Sequence, residues 1–391
     1  MKKPNVRGVW SRYDKSRQFK EQIGLYDTVR NNENFFIGKQ WEGVEANGLP
    51  KPVFNFLKRV TLFQIATITS DNLSMQATAM ASTSKYDLFS VEQVADFVNK
   101  QFESIFERNR IVAMLREYMR NAAVDGDGCL YTYFDPDIET GQDAKGDIVT
   151  ELVENTRVHF GNPNSRDVQK QPYIILSRRM QVPTVREMAK QFGRKREDVE
   201  AIVPDKEDFY SPMDDLDDTK VTVLLYLWRN RETGTIWKYQ CTQKVEIEKP
   251  TDTGLKLYPI TWLNWDYVMD CYHGQALITG LIPNQIFINK LFAMSMISLM
   301  TTAYPKIVYD KTRIKSWDSR VGAAIGVMGG DMNSVAKIID PASISPQIAQ
   351  FIELAIDKTQ SMLGASDVAM GDSRPDNTSA RQYWHCAVEA A

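Results

Sequence analysis

The stretch PNQIFINKLFAMSMISLMTTAYP, residues 283–305, carries one formal charge, Lys290. A run this apolar is either a membrane span or a helix packed among other protein segments. A span needs about 20 predominantly apolar residues. In the wider segment Cys271 to Pro305, where Lys290 is still the one formal charge, Gln275, Pro283, Asn284, Gln285 and Asn289 interrupt the apolar pattern, and its cleaner part, Leu291 to Tyr304, is short for a bilayer. The pattern therefore predicts a buried helix opening at Pro283, a residue suited to a first turn, and stopping before Pro305. At 1.5 Å per residue it would be about 33 Å long. Ile286, Phe287, Ile288, Leu291, Phe292, Met294, Met296, Ile297, Leu299 and Met300 lie nearly all round it. One partner helix covers one face, so the remainder points to neighbouring copies of the chain.

The flanking sequence supplies that one partner. Lys306 to Tyr309 reads as a strand, and glycines at 322, 326, 329 and 330 lead to a short strand at Ala336 to Ile339. Ser345-Pro346 then opens a second helix that runs to Leu363, with Gly364 as its stop. Two helices of about 20 residues thus bracket a β-containing module of about 40.

Upstream, the first 127 residues read as helical: Gln18 to Arg30, Val53 to Asn72, Val91 to Arg108 and Ile111 to Val124. After Asp125-Gly126-Asp127-Gly128 the period changes to two, with strands at 129–134, 148–153, 157–160, 173–177, 221–228, 235–241 and 257–265. Helical segments at 184–192 and 196–203 interrupt them, and Glu232-Thr233-Gly234 reads as a hairpin turn. The fold class is α+β.

Composition narrows the function. With 43% apolar and 25% charged residues the chain reads as folded and soluble. A net charge of −3 gives no bulk attraction to nucleic acid. Cys129, Cys241, Cys271 and Cys386 form no CxxC pair, and His159, His273 and His385 are as scattered, which argues against a disulfide framework or a zinc site. No apolar segment follows Lys2 and Lys3, so a signal peptide is not expected.

Individual motifs lead to bland readings. Asp125 to Gly128 resembles part of a calcium loop, but the closing position falls on Pro136, which leaves a helix-to-strand turn. The glycines of 322–330 lack any phosphate-binding pattern. Neither GxSxG nor HExxH occurs. The acidic run Asp214 to Asp218 and the basic clusters Arg178-Arg179 and Arg194 to Arg196 read as solvated surface. No catalytic constellation assembles, and neither enzyme activity, cofactor nor metal is expected.

The order of elements resembles the portal proteins of tailed bacteriophages, the head-to-tail connectors of the capsid. The resemblance rests on Phe35-Phe36-Ile37-Gly38-Lys39-Gln40-Trp41, then Pro52-Val53-Phe54-Asn55-Phe56-Leu57-Lys58, then Gly128-Cys129-Leu130-Tyr131. Gly280 to Gln285 with Asn289-Lys290-Leu291 follows, and last come Gly364 to Gly371 and Asp376 to Ala380. It covers about residues 15 to 380. Each piece is short, and their shared order carries the likeness.

The resemblance implies a wing made of a helical part (1–127) and a β-rich part (128–265). It implies a first stem helix (266–304), a clip (305–345), a second stem helix (346–364), a tunnel loop (365–380) and the start of a crown helix (381–391). It implies a homo-oligomeric ring of about twelve subunits, a homododecamer, through which double-stranded DNA passes non-specifically during packaging and ejection. Implied partners are terminase, a head-completion or tail adaptor protein, and capsid and scaffold proteins, without a membrane. The implied location is the virion, and the host cytoplasm during assembly. Ile286, Phe287, Leu291, Phe292 and Met296 would pack between stems. Lys311, Arg313, Lys315 and Trp317 would dock terminase on the clip, and Asp372, Ser373, Arg374, Asp376 and Asn377 would face the DNA. A lumen of mixed or negative potential is expected, since fixed cations add drag on phosphates. The chain ends as the crown helix begins, which suggests a shortened or frameshifted form with weaker ring assembly. The competing reading is a non-viral helical scaffold or adaptor whose last helices form a membrane-peripheral hairpin. A metal-dependent nuclease is a third.

Overall fold

The computed structural model describes residues 4–45, 48, 50–70, 75–78, 88–139, 145–206, 219–303, 307–314, 327–329, 336–338 and 346–362. The chain divides into two compact units: residues 1–37 with 57–281, and residues 38–56 with 282–391. The architecture is α+β.

The first unit is organised around strand β5, Lys220–Arg229, whose eight inner residues are all buried. A continuous apolar run of this length suits a strand covered on both faces. Its alternate side chains separate accordingly. Leu224, Tyr226 and Trp228 pack with Val9 and Tyr13 of helix α1 (Val6–Gln22). Leu225 and Leu227 pack with Cys129 and Tyr131 of β1 (Asp127–Asp135) and Ile260 of β8 (Ile260–Asn264). At the other end of β5, Val221 and Val223 meet Val185 and Ala189 of α6 (Val182–Gln191) and Val199 of α7 (Arg196–Glu200).

Strand β5 is central in a five-stranded antiparallel sheet, β3-β4-β5-β6-β7. Its other strands are β3 (Val158–Phe160), β4 (Tyr173–Gln181), β6 (Ile236–Cys241) and β7 (Glu246–Asp252). The β5–β6 hairpin turns where Glu232-Thr233-Gly234 was expected to turn it, with Gly234 at φ 73. A three-stranded sheet, β2-β1-β8 with β2 at Asp147–Leu152, lies against it through the core just described. The outer face of that sheet carries Leu130, Leu152 and Leu263, with Trp265 just past the end of β8. They pack against Ile65 of α3 (Phe56–Ile68) and Tyr118, Met119 and Ala123 of α5 (Ile111–Asp125). Helices α2 (Leu25–Ile37) and α4 (Leu88–Arg108) complete the unit.

The second unit is built on α8 (Leu277–Ala303, its first five residues in the first unit) and α9 (Pro346–Met362). Between them in sequence runs an antiparallel pair, β9 (Ile307–Tyr309) and β10 (Ala336–Ile338).

Three sequence expectations need correction. Helix α1 starts at Val6, capped by the Asn5 side chain, well before Gln18. Strand β7 was not expected. Its Lys249 and Pro250 hide the alternation, and it sits at the edge of the sheet, where proline is tolerated. Helix α8 begins six residues before Pro283, so the proline lies within it. Pro283 has no N–H to give the carbonyl four residues back, which belongs to Thr279, so the helix forgoes that bond. The Asp214 to Asp218 run lies outside the described residues.

Candidate functional site

In the second unit, the polar residues that interrupt α8 carry the packing. Gln285 and Asn289 stand one turn apart on one face, and both are buried. Gln285 Nε2 donates to Phe54 O at 2.6 Å and to Asn289 Oδ1 at 3.0 Å. Asn289 Nδ2 donates to Gln40 Oε1 at 2.6 Å, and Gln40 is buried too. Ile288, fully buried, and Phe292, stacked on Phe54 with ring centroids 4.0 Å apart, continue this face. The segment 38–56 is held to itself as well: Trp41 Nε1 donates to Pro52 O at 2.8 Å. Gly38 leads into it at φ 95, a conformation that other residues adopt only with strain. The Gly38-Lys39-Gln40-Trp41 sequence is thus a strap whose amide docks on α8. On α9, Ile352, Thr359 and Gln360 form the buried face. Thr359 Oγ1 also accepts from Asn284 Nδ2 of α8 at 3.2 Å.

Outside that face the two helices stay open. Phe287, Met294, Met296, Leu299 and Met300 of α8 and Phe351 and Leu354 of α9 are all exposed. At 100° per residue, the four exposed residues from Met294 to Met300 point in several directions around the axis. By length and composition alone, Leu277–Met300 is also long and apolar enough to cross a membrane, with 33% of its most apolar window buried. Burying one such side chain is worth about 1.5–3 kcal/mol. Seven on two adjoining helices make a strong surface for association.

The residues expected to pack between stems therefore separate into three groups. Phe287 and Met296 are exposed, Ile286 and Leu291 are half-buried, and the ring of Phe292 is engaged by Phe54. Of the expected clip residues, Lys311 is exposed and Arg313 is half-buried, on a turn closed by Ile314 N to Asp310 O at 3.0 Å. Asp310 accepts from Thr312 N and faces Arg313 at 3.6 Å. Its carboxyl is held below the usual range, chiefly by the Thr312 hydrogen bonds. Lys315 and Trp317, and all of Asp372, Ser373, Arg374, Asp376 and Asn377, lie outside the described residues.

Sequence reasoning missed a buried polar hub in the first unit. Asp127 Oδ1 accepts from Asn264 Nδ2 and Gly274 N, both at 2.7 Å; Oδ2 accepts from His273 Nδ1 at 2.6 Å and Asn155 Nδ2 at 3.3 Å. One carboxyl group thereby joins the end of α5, β8, the 155 turn and the approach to α8. Gly126, at φ 98, and Gly274 are required there: a Cβ on the first would meet Gly274 O at 2.8 Å, and on the second Asp266 O at 2.7 Å. Close by, the fully buried Lys20 donates to the carbonyls of Asn155, Thr156 and Val158 at 2.6–3.0 Å. Burial holds both His273 and His159 below the usual histidine range. The only advance signal was the pair of glycines beside Asp127 and His273. Among the described residues no group of three or more His, Cys, Asp or Glu is arranged to hold a metal.

A family model described as phage P22-like portal protein matches residues 11–383. No curated protein matches the chain.

Proposed function

Because the chain belongs to the phage P22-like portal protein family, structural head-to-tail connectors of the bacteriophage capsid and components of the virion, we propose that its copies close into a ring through α8 and α9. The ring, of about twelve subunits, forms the channel for genome packaging and ejection at one capsid vertex. The observation that carries this is the apolar surface left open around α8 after its amide-bearing face is filled. Heterologous contacts that close a ring bury two different faces of each subunit, which suits a helix apolar in several directions.

In this reading residues 266–304 and 346–364 are the stem, 305–345 the clip and 365–380 the tunnel loop. Lys311, Arg313, Lys315 and Trp317 dock terminase and later the tail adaptor, while capsid and scaffold proteins meet the wing formed by residues 1–265. Asp372, Ser373, Arg374, Asp376 and Asn377 face the DNA. Assembly takes place in the host cytoplasm. The family is structural and non-catalytic in general, and catalysis is not part of the proposal.

The length and apolarity of α8 favour one other reading, a scaffold or adaptor with a membrane-peripheral hairpin. Sedimentation and negative-stain imaging of the purified chain separate the two. The ring reading expects particles with a central channel and a mass of several hundred kilodaltons, about twelve times that of one chain. A small species, or one recovered only with lipid vesicles, overturns it.

A further inference from the structure

The first unit carries an open apolar cleft at the margin of its core and an exposed apolar loop. The cleft, about 470 Å³, lies where β1 and β2 meet β5 and β6. Tyr131, Tyr133, Phe134, Ile148, Leu227 and Leu255 form its apolar walls. Phe134 is 61% exposed at its mouth. Lys238, which also lines it, is paired with Glu248 at 3.0 Å, and Asp135 and Asp137 flank Pro136 on the rim. The cleft therefore selects for apolar surface rather than for charge.

The loop is Asp266-Tyr267-Val268-Met269-Asp270. Tyr267, Val268 and Met269 are all exposed, Met269 at 77%. Three consecutive apolar side chains at a loop tip are costly to leave in water unless they have a partner. The loop is also preorganised. Its base is clasped by Asp266 N to Gln275 O at 3.2 Å and Gln275 N to Asp266 O at 3.0 Å. The Arg166 guanidinium lies 4.3 Å from the Tyr267 ring centroid. Asp270 sits at φ 54, which fixes the return of the chain. A rigid apolar knob gives up little entropy on docking.

The loop does not reach its own cleft. The β1–β8 register pairs Tyr131 with Ile260 at the cleft end and Asp127 with Asn264 at the loop end. Pro259 lines the cleft, and β8 (Ile260–Asn264) separates it from Asp266, its four steps alone spanning about 13 Å at about 3.3 Å per residue. Knob and cleft at opposite ends of one strand are the two halves of a heterologous contact, the kind that propagates from copy to copy and closes into a ring.

We propose that the 266–270 loop of each subunit seats in the β1/β2–β5/β6 cleft of the next, a second ring contact beside the α8–α9 stem. The inference rests on the ring reading. It is tested on the full chain with Cys271 and Cys386 replaced by serine, which leaves only the buried Cys129 and Cys241. Phe134→Cys combined with Met269→Cys, oxidised after assembly, is expected to give a covalent ladder extending well beyond dimer, and either substitution alone to give none. Both positions are exposed, so the fold tolerates them. As a second measurement, Met269→Lys is expected to raise the concentration needed for assembly at least about tenfold without shifting the subunit's melting temperature, and Phe134→Glu in the same chain to recover part of the loss. Imaged rings with no ladder overturn this contact and leave the ring reading standing. A ladder that stops at dimer overturns it too, because an isologous contact does not propagate. Absence of rings in the unmodified chain overturns the ring reading, and the contact with it.

Discussion

Gln40, Gln285 and Asn289 form a buried chain of amides in which each contact is short and each donor is aimed at an oxygen. A buried acceptor that loses its donor costs about 1–3 kcal/mol, more than a made bond gains. Asn289→Leu is therefore expected to lower the stability of the second unit by about that amount. Combining it with Gln40→Leu should cost less than the sum of the two singles, and urea unfolding of the four proteins gives the coupling. A second residue-scale prediction concerns protons. Burial pushes the Asp125 carboxyl up to about 7, and Arg120 offsets only part of the rise. An unfolded aspartate titrates near about 3.9, so between there and about 7 the folded chain holds the extra proton. The stability from this group is complete below pH ~4 and is lost as pH rises through about 7. Asp125→Asn should thus gain on the unmodified chain with rising pH, by about 1 kcal/mol at pH 8 given the partial exposure of the site, and show little difference at pH 4. Denaturant midpoints at the two pH values check it. His159 and His273 act in the opposite sense. Both are held below the ordinary histidine value by burial, so their contribution is lost as pH falls below about 6.5.

At the scale of elements, α8 makes two kinds of contact along one helix, and substitutions should separate them. Leu299 and Met294 are exposed in the subunit, so Leu299→Glu or Met294→Glu should leave subunit unfolding within about 0.5 kcal/mol of the parent. Either should shift assembly strongly, since a charge held at an apolar contact costs several kcal/mol. Size-exclusion chromatography and thermal unfolding on the same samples distinguish this from misfolding. The same helix shows how far the sequence could be read. Its apolar girth and its bracketing by a strand and a second helix were legible, because periodicity is a local property. The strand β5 was legible for the same reason, as an unbroken apolar run from Val223 to Trp228. The start of α8 was not, since proline at a first turn and proline after the first turn look alike in sequence. The strap was not either: Gln40 meets Asn289 across 249 residues, and no local pattern encodes a contact of that reach. Asp127 and His273, 146 residues apart, were invisible on the same grounds: Asp127 read as part of a turn, and His273 as one of three scattered histidines.

For the whole molecule, the charge balance sets a constraint on transport. A protein that grips duplex DNA neutralises phosphates with lysine and arginine and releases counterions, so its affinity falls steeply with salt. This chain has 47 basic and 50 acidic residues. Its basic side chains are often committed inside the subunit: Arg108 to Asp147, Arg178 to Glu151, Arg179 to Asp205 and Arg194 to Glu246. A ring of such subunits should let the duplex slide rather than hold it. The assembled protein is therefore expected to show no saturable binding to a short duplex at micromolar concentration and about 150 mM salt. Whatever weak binding appears at low salt should vary little in log K against log salt, as for a contact that releases one or two ions rather than six to ten. Fluorescence anisotropy of a labelled duplex between about 50 and 200 mM salt measures this. Nanomolar binding that weakens a thousandfold across that range would mean a lumen lined with free cations, and would remove the low-drag channel from the proposal while leaving the ring itself in place.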